Sequence, residues 1–529
     1  GKSMEKFLCE QCCGFLGYDE PTSSPIKGCP VCLDLFSREN EWLMQPLVSA
    51  CDPYGGMESN HFTQQASNIL LPGDILLRYH IAAMGRTCAP FSKFQYALKD
   101  YLRKTMETYW KDRQRDIKNL DQYPSFFHRE EQGFLSVHLL LTPNQTTSRP
   151  AGRYRLKSKV NTRKRFRGND PTEKQGGHPI VNRQKTLERK GYEIWTLSEA
   201  ESAWEKSSAK DKESLNNWFQ SLQDESRGSH VHVIVHRLPF YVKSLYTKTR
   251  RDISQTPFYV PEKDSNGKTF MKRLGVSSVE EQIIPSILKV IGGVSKLNND
   301  AEENDIIFGM VKFHASGRED MNVRMTLPPE NTDSVGGRPF VLEIIDALKV
   351  PTPSDLLSVV HEINQTAPDD DTSGIVTEDV RSYGRNPMGV GISPCISFVP
   401  NKAFRNLQAE TEEKVKYYGC ECWSENPIPS TDYLTEKLSQ VQCPITLQQR
   451  TPIRVLHRRP NLTRTRHILS LKATKVDDHY FRLHLSTDAG TYVKEFVHGD
   501  LGRTVPSVSS LLGCKTDIPI LDCEGIQLG

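Results

Sequence analysis

The sequence predicts an α+β protein, a small cysteine module followed by two larger mixed units. Three observations lead there. The chain has 529 residues, 37% of them hydrophobic and 25% charged; that is too long for one core and has the balance of a folded globular protein. Short runs alternate apolar and polar residues, the period of half-buried strands. Between them lie stretches of helical spacing, one of which carries its own start and stop signals.

The first segment, 1–48, holds Cys9-x2-Cys12 and, after a short spacer, Cys29-x2-Cys32. Two such pairs supply four soft thiolates, each pair on a tight turn, which is what a tetrahedral Zn²⁺ requires. Four thiolates leave no open position, so the expected role of the zinc is structural. The 13 cysteines are odd in number and clustered, which fits a reducing, intracellular compartment, nuclear or cytoplasmic, better than a disulfide scaffold. Gly1 to Phe7 contain no apolar signal core, and no run of about 18 apolar residues suggests a membrane span.

The second segment, 49–245, reads as an α+β module. A helix is expected around Phe91 to Trp110, a strand at Phe134 to Leu141, a polar helix within Ser198 to Ser226 and a strand at His230 to His236. Net charge is only +3, but Arg149 to Lys190 is dense in Lys and Arg and holds only Asp170, Glu173 and Glu188 as acids. Such a run is a candidate polyanion contact, with a solvated loop or an import signal as the plain alternatives.

The third segment, 246–529, opens on the basic run Tyr246 to Arg251. Ser278 and Glu281 form a capping pattern ahead of Val279, Ile283, Ile287 and Ile291, and Gly292 stops that helix. Residues 298–305 and 368–373 read as loops. Ile306 to Phe313 reads as a strand running into Ser316-Gly-Arg-Glu-Asp320, a tight turn that presents side chains to a cleft. Taken alone, Arg318 and Asp320 suggest no more than a surface ion pair. Phe481 to Leu485 alternate as a strand, Asp488-Ala-Gly490 breaks it, and Val493, Phe496, Val497 and Leu501 then recur at helical spacing. Lys494 falls in the first turn of that helix, against the dipole, where it needs solvent or a carboxylate.

These blocks carry a family resemblance. Ser316-Gly-Arg-Glu-Asp320 resembles the first motif of the pseudouridine synthases. The block at 489–504, Ala-Gly-Thr-Tyr-Val-Lys-Glu-Phe-Val-His-Gly-Asp-Leu-Gly-Arg-Thr, resembles their later basic motif. Thr451 to Pro460, Gln255-Thr-Pro257 and the cysteine pairs narrow the likeness to the archaeal and eukaryotic Pus-ten tRNA pseudouridine synthases. It covers most of 238–523 in scattered blocks and is weak over 60–235.

The resemblance implies a pseudouridine synthase mixed sheet joined to a THUMP-containing accessory domain. It implies a cofactor-free isomerase acting on uridine in the TΨC arm of tRNA, at position 55 with 54 as a second candidate. Asp320 would be the nucleophile, Lys494 its basic partner, Tyr418 the active-site tyrosine and Leu511 an apolar wall. Arg318, Lys248, Arg250, Arg251, Arg454, Arg458 and Arg459 would meet RNA. No obligate protein partner and no organic cofactor are implied. Met325 to Gly337 is longer than the family turn, and the spacer between the cysteine pairs is shorter than in animal members. The competing reading is a non-catalytic RNA-binding or RNA-processing factor that works through its zinc and accessory segments.

Overall fold

The computed structural model describes residues 8–18, 29, 31–32, 36, 41–54, 68–70, 78–79, 82–83, 89–111, 123–130, 132–143, 205–206, 208–221, 229–265, 267–293, 309–326, 336–365, 385–456 and 459–527. The basic run 149–190, both polar loops, most of the 325–337 insertion and Arg458 lie outside the described residues. The chain divides into two compact units, one of Gly1–Leu120 and Gly133–Leu238, the other of Asp121–Gln132 and Pro239–Gly529.

The first unit contains helices α1 (Glu10–Leu16), α2 (Glu41–Cys51), α3 (Phe91–Lys111) and α4 (Ala209–Ser221), with strands β1 (Asn68–Leu70), β2 (Leu135–Pro143) and β3 (Ser229–Arg237). Helix α3 forms because Phe91, Phe94, Leu98 and Leu102 recur every three or four residues, and all four are buried. Strand β2 lies between β1, to which it runs parallel, and β3, antiparallel, with Val137 opposite Val235 and Leu139 opposite Val233. Among the described residues no helix is long and apolar enough to cross a membrane.

The second unit is organised on a large mixed sheet. Its order is β18-β15-β16-β17-β14-β19-β10-β4-β11-β9, and two short strands, β12 (Val390–Ile392) and β13 (Ser397–Val399), also pair with β4. These strands are β4 (Phe240–Lys248), β9 (Met310–Ala315), β10 (Arg324–Met325), β11 (Arg338–Ile345), β14 (Lys416–Ser424), β15 (Ile445–Arg450), β16 (Thr463–Lys475), β17 (Tyr480–Thr487), β18 (Thr504–Val505) and β19 (Thr516–Ile526), while β5 (Ile253–Ser254) pairs with β8 (Ser277–Ser278) and β6 (Phe258–Lys263) with β7 (Thr269–Leu274) outside it. Strand β4 is buried along almost its whole length, as expected of a central strand covered on both faces. Helices α5 (Val279–Ile291) and α6 (Pro353–Asn364) press Ile283, Ile287, Leu356 and Val360 against the same core that holds Phe240, Phe340 and Leu342. Ser278 caps α5 by accepting the Glu281 N–H, and Gly292 ends it in the left-handed region at φ 70°.

Near the C-terminus the structure departs from the sequence pattern. The apolar spacing runs through Leu501, but helix α9 spans only Val493–His498. Gly499 turns left-handed at φ 79°, and the imidazole Nδ1 of His498 accepts the Asp500 N–H at 3.0 Å. Val493, Phe496 and Val497 stay in the core, while Leu501 is 92% exposed. Helices α7 (Asn401–Glu413) and α8 (Thr431–Leu438) precede α9, and a final short helix, α10 (Val508–Leu512), leads into β19.

Candidate active site and cysteine centre

The turn after β9 is built from the inside outwards. Gly317 adopts φ 81°, a conformation that a residue with a Cβ disfavours. The next three side chains then diverge. Arg318 is exposed, its guanidinium 5.5 Å from the centre of the Phe258 ring. Glu319 turns inward and is buried. Its Oε2 lies 2.7 Å from Arg338 Nε, and the Tyr246 hydroxyl donates to both of its oxygens at 2.9 Å. Gln255 donates to the Tyr246 oxygen at 2.8 Å and to the Gly317 carbonyl at 3.0 Å, while Arg338 Nη1 donates to the Ser316 carbonyl at 2.7 Å. Burial alone would weaken the charge on Arg338, yet Glu319 together with Tyr246, Cys523 and Tyr418 outweighs it and holds the guanidinium pKa above its ordinary value.

Asp320 faces the other way and is about a third exposed. Its Oδ2 lies 3.0 Å from Arg454 Nη1 and 3.3 Å from Lys494 Nζ. Lys494 sits in the first turn of α9 and also donates to Asn322 Oδ1 at 3.1 Å. Arg454 is held in turn by Glu495, whose Oε1 accepts from its Nε at 2.8 Å. Glu495 follows Lys494 directly but is buried, so the two residues address opposite ends of one charge array. Two cations on one carboxylate oxygen favour its charged form and fix its direction.

The other expected site residues divide. Lys248, expected to meet RNA, is fully buried. Its Nζ donates to the carbonyls of Ile253 and Met321, each at 2.8 Å, with the Asp320 carbonyl at 3.5 Å. An ammonium enclosed in this way cannot reach a phosphate; it braces the turn that carries Asp320. Burial lowers its pKa to about 8. Arg250 pairs with Asp252, and Arg251 with Asp522 at 2.7 Å. Asp522 also pairs with Arg324; burial pushes its carboxyl up, but the two arginines outweigh it and hold the pKa low. Arg459 is exposed. Tyr418 and Leu511 are half-buried against the main core. Burial pushes the Tyr418 phenol well up, and Cys523, Arg338, Cys420 and Glu319 are its electrostatic neighbours. Sequence reasoning missed the inward role of Glu319 and the parts played by Arg338, Tyr246 and Glu495.

In the first unit, the sulfurs of Cys9, Cys12, Cys29 and Cys32 all lie within 4.8 Å of one another, with Cys9 and Cys32 at 3.7 Å. Thiolates 2.3 Å from a tetrahedral zinc would be spaced by about 3.8 Å. The group can therefore hold a metal ion. Cys13 is buried with its Sγ toward the Leu8 carbonyl, outside the group.

Residues 241–383 and 390–527, more than half of the chain, match the family described as "Pus10, C-terminal". The chain is similar to the tRNA pseudouridine synthase Pus10 of Mus musculus, 34% identical over 54% of this chain and 44% of that one. The human protein of the same name is 32% identical over the same shares. That of Thermofilum pendens is 30% identical over 59% of this chain and 57% of its own. The matched segment thus spans about half the length of these relatives. Among solved structures, a Cbf5-Nop10-Gar1 complex aligns at 12% identity and a TM-score of 0.23, over 46% of this chain and 44% of that one; a likeness of that size adds nothing to the fold described above. Every member of the charge array around Asp320 falls inside the family match, and the chain belongs to the Pus10 family.

Proposed function

We propose that the chain is a tRNA pseudouridine synthase in which Asp320 is the nucleophile. The observation that carries this reading is the Asp320 carboxylate, held at 3.0 and 3.3 Å by Arg454 and Lys494 on a turn braced from behind by buried Glu319. The names of its relatives supply the substrate class. The isomerisation breaks the N1–C1′ bond, turns the uracil and joins C5 to C1′; the C5 proton is lost and N1 gains one. No electrons are exchanged with a cofactor. An ionised carboxylate suits a group that must attack, at C1′ or at C6, and then leave.

Lys494 and Arg454 keep that carboxylate charged and aimed. Tyr418, whose phenol burial keeps protonated, stacks on the uracil and takes part in the late proton transfer. Leu511 supplies an apolar wall. Extrusion of the target base costs about a few kcal/mol, offset by contacts of exposed cations such as Arg318 and Arg459 with phosphates. Arg250, Arg251 and Arg458 complete the RNA-facing set. The substrate site is the TΨC arm, position 55 with 54 as a second candidate. The four cysteines hold a structural Zn²⁺, a THUMP-containing RNA-binding domain lies in the first unit, and the second unit, from Pro239 with 121–132, is the catalytic domain of an enzyme of the nucleus or cytoplasm.

The test is a pseudouridine map of an unmodified tRNA transcript incubated with the chain, beside Asp320→Ala, read by carbodiimide labelling and primer extension. A signal in the TΨC arm from wild type alone is expected. A folded, tRNA-binding wild type that makes none would turn the reading to a non-catalytic RNA-binding factor.

A further inference from the structure

Leu501 is held in a conformation that leucine disfavours. It sits at φ 56°, ψ 38°, after Asp500 at φ 47°, ψ 49°, the left-handed region in which a branched apolar residue is an outlier. The neighbours over-determine this shape. Asp500 donates its N–H to His498 Nδ1 at 3.0 Å, accepts the Ile453 N–H on Oδ2 at 3.2 Å, and accepts the Arg503 N–H on its carbonyl at 3.2 Å. The result is a leucine 92% exposed at the tip of a rigid turn. Such strain persists where the position of a side chain matters to function.

The turn adjoins the charge array. Ile453, itself 48% exposed, immediately precedes Arg454, whose guanidinium contacts Asp320. Arg503 Nη2 donates to the Thr451 carbonyl at 2.7 Å and to Asn461 Oδ1 at 2.8 Å, which ties the three loops together. The turn adjoins a basic stretch, the Arg450 N–H donating to the Arg503 carbonyl at 2.9 Å. Residues 441–476 contain no Asp or Glu, and Arg450 and Arg459 are exposed there. Apolar side chains beside a basic stretch fit a ligand that offers both stacked bases and phosphates.

Resting on the function proposed above, we infer that Leu501, flanked by Ile453, is an apolar wedge that enters the base stack of the RNA beside the uridine drawn out to Asp320. A base that leaves its stack exposes the faces of its neighbours, and a leucine of fixed direction covers them.

The test uses Leu501→Asn and Leu501→Gly, which tolerate the left-handed backbone, with Leu501→Phe as the apolar control. Each is assayed on a full-length unmodified tRNA transcript for kcat, KM and melting temperature. The Asn and Gly variants are expected to melt no lower than wild type and to lose roughly tenfold in kcat/KM, the scale of one buried leucine. The Phe variant is expected to keep most of the activity. A second readout is 2-aminopurine placed next to the mapped uridine: in an Asp320→Asn background its fluorescence rises on binding, and Leu501→Asn removes that rise. If wild type forms pseudouridine and Leu501→Asn matches it in kcat, KM and fluorescence, the wedge is overturned while the enzyme reading stands, and the surface passes to a protein partner. If wild type forms none, the reading fails and the wedge with it.

Discussion

Lys494 Nζ lies 3.3 Å from Asp320 Oδ2 and 3.1 Å from Asn322 Oδ1, so one ammonium ties α9 to both sides of the 320–322 turn. Its contribution is aim as well as charge, because Arg454 already supplies a second cation to the same oxygen. Lys494→Met is expected to lower kcat by about 10²-fold, the usual scale for a positioned electrostatic group. Dissociation constants for tRNA should move by less than about threefold, since the Lys494 side chain is only 18% exposed and its ammonium is engaged by Asp320 and Asn322 rather than by phosphate. Single-turnover kinetics beside filter binding separate the two. An equal loss in both would make Lys494 an RNA contact instead.

Behind that turn, Glu319 and Arg338 form an ion pair with side chains only 2% and 4% exposed. Removing one partner strands the other charge where water cannot reach it. Arg338→Met is therefore expected to destabilise the C-terminal unit by about 3–5 kcal/mol, and Arg338→Met with Glu319→Gln to recover a large part of it. Urea unfolding of the three proteins measures both. A double variant as unstable as the single one would show that shape, rather than charge, sets the cost.

The residues show where the sequence was readable. Ser278 and Gly292 bound α5 because capping is local chemistry, written within four residues of the helix end. The strand at 135–143 and the helix at 91–111 follow from periodicity alone. The partners of Asp320 are of another kind. Arg454 and Lys494 are 134 and 174 residues away, and no local pattern pairs them; the family motifs suggested Lys494, whereas Arg454 was expected at RNA. Lys248 misled because Tyr246 to Arg251 is a basic string and reads as surface, although it lies at the end of the central strand β4. Leu501 misled because helical spacing continues past Gly499 in the sequence while the helix itself stops.

The cysteine group makes a prediction independent of catalysis. With all four sulfurs within 4.8 Å, the full chain purified with zinc present should carry about one Zn²⁺, and Cys29→Ser far less, because the closed set needs all four thiolates. Atomic absorption gives the stoichiometry. Chelation should lower the first thermal transition of wild type and leave that of Cys29→Ser unmoved. Full zinc occupancy in the variant would reject the site.

Lys248 gives a pH signature. Its ammonium is fully buried, and burial lowers its pKa from 10.5 to about 8. Below pH 8 the lysine is charged in both states, and folding bears the whole cost of burying it. As pH rises from 8 toward 10.5 the folded chain loses this proton first, so the unfolded state binds more protons and stability rises with pH. Lys248→Met cannot titrate there, although it leaves the carbonyls of Ile253 and Met321 without their donor, at a cost of about 1–3 kcal/mol. The stability of wild type relative to Lys248→Met should therefore be flat below pH 8 and climb by about 3 kcal/mol by pH 10.5, a slope of roughly 1.4 kcal/mol for each pH step of one. Urea unfolding of both proteins across that range reads the difference directly. A difference that stays constant would mean that the two carbonyl acceptors hold the ammonium charged despite its burial, and that the brace under Asp320 is ionic across that pH range.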